Sequence, residues 1–150
     1  MSPINPAPRH CLAEITSCYL MRPYALGSRD GFDCFSLIHD YLGRVGAELP
    51  DEFQGQTLQS YASLFDRDSG EAKRVMVEFV ASVTDEIEPH RAFAGDILLL
   101  KLTGSEALPF LAIHAGQNLA IAASCEFGVR PWELGHYTIV RAFRCRRQSR

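Results

Sequence analysis

Gly31-Phe32-Asp33-Cys34-Phe35-Ser36-Leu37-Ile38 joins a polar loop to an apolar periodic segment, and its single cysteine falls at the junction. Downstream, Leu37, Ile38, Tyr41, Leu42 and Val45 recur at helical spacing and Gly46 supplies a stop, so Cys34 is expected in the first turn of a helix. A thiol there meets unpaired backbone N–H groups and the positive end of the helix dipole, both of which favour thiolate. A cysteine so placed is either a small buried residue or a nucleophile, and its partners decide which.

Working outward, Arg9 to Leu20 reads as a short helix ended by Pro23. Thr57 to Phe65 predicts a second helix. A third starts from Ser69 as N-cap and carries Val75, Met76, Phe79, Val80 and Val83 on one face until Pro89 forbids continuation. From Gly95 the pattern changes to strands at 96–102, 108–114, 119–125 and 138–144, with a Gly116-Gln117-Asn118 turn. Helices first and short-connected strands last predict an α+β fold, with N-terminal helices packed on a C-terminal antiparallel sheet.

The 150 residues, 47% hydrophobic, suit one domain over 1–150, with a proline-rich leader at 1–8 and a basic tail at 144–150. The formal net charge of −3 argues against a general nucleic-acid binder. No apolar run is long enough to cross a bilayer, and the first residues lack a signal peptide's charged start and apolar centre, so synthesis in the cytoplasm is expected. Five cysteines (Cys11, Cys18, Cys34, Cys125 and Cys145) contain no C-x-x-C pair and imply free thiols. A redox or metal-cluster role would need Cys11, Cys18 or Cys125 to converge on Cys34. No histidine pair has metal-ligand spacing, so neither metal nor cofactor is expected. Asp33 and Asp96 read as caps of helix and strand ends, and His39 as a surface or groove residue.

Tyr24-x-x-Gly27, Gly31-Phe32-Asp33-Cys34, Gly46 with Leu49-Pro50, and Ala94-Gly95-Asp96-Ile97-Leu98-Leu99-Leu100 before a hairpin together resemble the NlpC-like, papain-related cell-wall peptidases over about Tyr24 to Phe143. The resemblance implies a papain-like fold with Cys34 as nucleophile and Tyr24 near the oxyanion site. Phe35 and Ser36 stand where the family has serine and glycine. Laying Gly116-Gln117-Asn118 on the family's hairpin turn puts Phe110 at the catalytic histidine and Ala122 at or beside the orienting residue, and neither can move a proton. His114-Ala115-Gly116 resembles the family's histidine-x-glycine, but His114 would stand roughly 13 Å along the strand from Phe110.

Two functions follow. In one, Cys34 attacks stem peptides of peptidoglycan with His114 as base and Tyr24 beside the oxyanion. In the other the fold persists without chemistry, as a structural component binding tail-tip or hub proteins of a bacteriophage or phage-like particle. Gly128-Val129, Pro131-Trp132 and Ile139 to Phe143 resemble the ending of such tail-associated members, and this second reading, with a virion location, is the expectation.

Overall fold

The computed structural model describes residues 19–20, 34–124 and 128–146, with the backbone alone at 34, 58, 59 and 124. Three helices, α1 (Cys34–Arg44), α2 (Leu58–Arg67) and α3 (Ser69–Val83), precede β2 (Ile97–Leu102), β3 (Phe110–Gly116), β4 (Leu119–Ser124), β5 (Gly128–Glu133) and β6 (Tyr137–Cys145). A short strand, β1 (Thr84–Ile87), follows α3 directly. All ladders are antiparallel in the order β1-β6-β2-β3-β4-β5. The α+β reading holds. The segment expected as a helix over Arg9 to Leu20 lies outside the described residues except Tyr19 and Leu20.

Each helix boundary has a local cause. Gly46, at φ +95°, donates to Gly43 O while Ala47 donates to Leu42 O, a paired closure of α1 that a side-chain-bearing residue resists. Thr57 and Ser60 cap α2 reciprocally, each side-chain oxygen accepting the other's backbone N–H at 3.0 and 2.8 Å. The N-cap of α3 is Asp68 rather than Ser69. Its carboxylate accepts the Glu71 N–H at 3.0 Å, which a carboxylate three positions ahead reaches naturally. The helix also stops before Pro89, at Val83. There Thr84 Oγ1 donates to Val80 O at 2.6 Å and the chain turns into β1, paired with β6 from Thr84–Cys145 to Ile87–Ala142.

β2 is buried on both faces, and strand alternation divides its side chains between two clusters. Ile97 and Leu99 join Leu111, Ile113, Ile121, Val129 and Phe143 against the helices, where Leu37, Ile38 and Leu42 of α1 are fully enclosed. At about 2 kcal/mol for each such side chain, this face holds α1 in place, and Leu42→Ala would open a cavity in it. Leu98 and Leu100 point the other way, to Ala112, Ala120, Ala122, Ala142 and Leu134. β5 departs from expectation because Pro131 argues against a strand. It survives at the sheet's outer edge, where one backbone face needs no partner. The β3–β4 turn is as expected, with Gly116, Gln117 and Asn118 all at positive φ.

Candidate functional site

Cys34 is the first residue of α1, as the loop-to-helix junction predicted. Its side chain and all of Tyr24 lie outside the described residues, as do Asp33, Cys11, Cys18 and Cys125. The other residues with an expected or aligned site role, Phe110, His114 and Ala122, lie on β3 and β4.

His114 stands at the end of β3. Its N–H donates to Asp96 O and its carbonyl accepts the Gly95 N–H, both at 2.8 Å. Its Nδ1 accepts the Gly116 N–H at 2.9 Å, so in the neutral ring this bond assigns the proton to Nε2. Burial pushes its pKa down, opposed by the Asp96 carboxylate. One nitrogen thus already serves the backbone and the other bears the proton. Gly95 O also accepts from Tyr41 Oη at 2.8 Å. The backbone of His114 is thus tied through Gly95 to the Tyr41 hydroxyl of α1.

Phe110 and Ala122 come together on the sheet face turned away from the helices. Phe110 sets its ring edge-on to Tyr137 with centroids 5.6 Å apart and tilted to Trp132 at 6.5 Å. Ala122 is fully buried, and its carbonyl accepts Trp132 Nε1–H at 3.2 Å. The two positions assigned to proton transfer by the hairpin are thus occupied by an aromatic cluster and a methyl group. From sequence, Tyr41 belongs to the apolar face of α1 and Trp132 to the tail-like ending, and neither they nor Tyr137 carry a site role. Trp132 carried the available signal, as the chain's single tryptophan.

Asp96 caps the turn before β2, as expected, by accepting the Phe93 N–H at 2.9 Å, and its 3% exposure marks it as structural. His39 lines a groove: it stacks on Phe79 at 5.7 Å and meets Phe35 edge-on at 6.0 Å. Among the described residues no group of three or more His, Cys, Asp or Glu side chains could hold a metal ion, and no helix is long and apolar enough to cross a membrane.

A family model described as the NlpC/P60 family matches residues 21–141. Among solved structures, the chain is similar to one described as similar to a lipoprotein of the NLP/P60 family, from Staphylococcus aureus subsp. aureus Mu50. That match has a TM-score of 0.56 and 20% identity, and covers 98% of this chain but 44% of that protein. At that identity the likeness concerns the fold, and the chain spans less than half of the other protein's length. No curated protein matches the chain.

Proposed function

The chain belongs to the NlpC/P60 family, usually cysteine peptidases that cleave peptidoglycan, and from that premise we propose that it is a non-hydrolysing member serving as an assembly component of a phage-type tail tip. The observation that supports the loss of chemistry is Phe110, the residue the family resemblance aligns with the catalytic histidine, whose ring packs with Trp132 and Tyr137 and can move no proton. A thiol nucleophile depends on a base within about 3 Å and a group that orients it. Ala122 supplies no such group, and His114 lies at the far end of β3 with Nδ1 engaged by Gly116.

The tail-tip role rests on the resemblance of Gly128-Val129, Pro131-Trp132 and Ile139 to Phe143 to tail-associated members. Its partners are neighbouring tail or hub proteins, its location the virion, and the domain spans 1–150. Mass spectrometry of purified particles from a producing culture tests this, and absence of the chain from them rejects it.

Family membership favours one competing reading. In it, Cys34 at the head of α1 attacks a stem-peptide carbonyl, His114 accepts the thiol proton and returns it to the leaving amine, and Tyr24 sits by the oxyanion. Incubating the protein with peptidoglycan fragments at neutral pH, beside Cys34→Ala, separates the two. No cleavage is expected, and release of peptides that depends on Cys34 would reinstate the peptidase.

A further inference from the structure

A cavity of about 230 Å³ opens between α1, α2, α3 and the connector at 47–57, on the helical side of the molecule. Phe35, Phe53, Tyr61 and Phe79 form its walls. Phe79 is met edge-on by both Phe35 and Phe53, at 5.4 and 5.7 Å, so the rings brace one another. Gln56, Thr57 and Tyr61 add neutral polar groups to the lining, which also holds His39 and Asp51. Neither of the last two has a hydrogen-bond or ion-pair partner among the described residues. We propose that this cavity is a binding site for a small organic cation, an ammonium group carried on an apolar or aryl stem.

Size comes first. A dry cavity of roughly 150 Å³ accepts benzene, so 230 Å³ accommodates a phenyl ring with a short two-carbon arm. Charge follows from the lining, which includes Asp51 and no lysine or arginine. The connector at 47–57 adds Glu48 and Glu52 and contains no basic residue. Arg74 reaches Gln54 on this connector, but its guanidinium is already paired with Glu71 and Glu78, both at 2.6 Å. His39 adds no opposing charge near neutrality, because burial lowers its pKa despite the neighbouring Asp40. Aromatic faces attract cations through their quadrupole, most strongly where water is excluded. An anion would meet the Asp51 carboxylate with no lysine or arginine in the lining to balance it.

The site stands whether or not Cys34 hydrolyses anything, because its walls come from α1, α2, α3 and the connector. The test is a titration of the intact chain with 2-phenylethylammonium, 2-phenylethanol and phenylacetate, following the ring resonances of His39 and Phe79 by NMR. The expected order of affinity is cation, then alcohol, then anion. Asp51→Asn should weaken the cation roughly five- to ten-fold while leaving the alcohol unchanged. Asp51 is exposed and bonds to nothing described, so this variant folds as the parent does. Equal binding of all three compounds, a cation affinity indifferent to Asp51→Asn, or no movement of the pocket resonances with any compound would overturn the proposal.

Discussion

Arg144 of β6 lays its guanidinium on the carboxylate of Asp96, Nε to Oδ1 at 3.1 Å and Nη2 to Oδ2 at 3.0 Å, where Asp96 has almost no contact with water. The same arginine lies 4.2 Å from the ring centroid of Phe93 and donates to Arg91 O. One side chain thereby ties the end of the sheet to the turn that starts β2. Arg144→Met leaves Asp96 buried with its countercharge gone. The expected loss is about 2 kcal/mol, less than for a fully enclosed pair because Arg144 keeps about a third of its exposure. Urea unfolding at neutral pH measures it, and an unchanged midpoint would contradict this role.

The aromatic cluster can be read optically. Trp132 is the only tryptophan in the chain, so its emission reports on Phe110 and Tyr137. Phe110→Ala is expected to shift that emission to the red and to cost about 2 kcal/mol, below the range for a fully buried phenylalanine because Phe110 is only partly buried. Emission identical to the parent's would mean that the ring does not shield Trp132.

Acid should weaken the fold before its carboxylates titrate. Burial lowers the pKa of both His39 and His114 below the free-histidine value of 6.5, with Asp40 and Asp96 respectively opposing. The unfolded chain therefore binds protons first. The stability from keeping these rings neutral is complete above pH 6.5 and is lost as pH falls below it. Thermal midpoints measured from pH 8 to pH 5 should fall through that window, and His39→Gln should flatten the slope. A midpoint constant to pH 5 would refute the assignment.

Cys145, at the end of β6, should be a slow thiol. Burial raises its pKa to about 12, with Asp96 adding to the effect. At neutral pH almost none of it is thiolate, the form that reacts. Iodoacetamide labelling followed by peptide mass spectrometry should leave Cys145 unmodified in the native protein and modify it readily in urea. Rapid native labelling would show that the residue is open to solvent.

Much of this architecture is legible in the residues, and what is not has physical causes. The one-sided pattern from Leu37 to Val45 and the stop at Gly46 are local signals, and α1 follows them. β1 is Thr84-Asp85-Glu86-Ile87, whose polarity gives no strand signal; its pairing comes from β6, more than fifty residues away. β5 is masked by Pro131, tolerated because the strand is at an edge. The site is legible only as positions. That Phe110 and Ala122 occupy one sheet face follows from alternation, but the closing of Trp132 and Tyr137 over them is a tertiary event. The groove around His39 is set by packing among three helices, which no single periodic segment encodes.

The place of β6 fixes when the molecule can be completed. It is the last of the described strands yet lies between β1 and β2, bonded to both. Until residues 137–145 have left the ribosome, β1 has no ladder to join and β2 exposes an open edge of leucines, the kind of surface that recruits other chains. Synthesis of the earlier strands therefore yields a sheet in two pieces, and a protein stopped short of β6 is expected to aggregate rather than persist as a smaller fold.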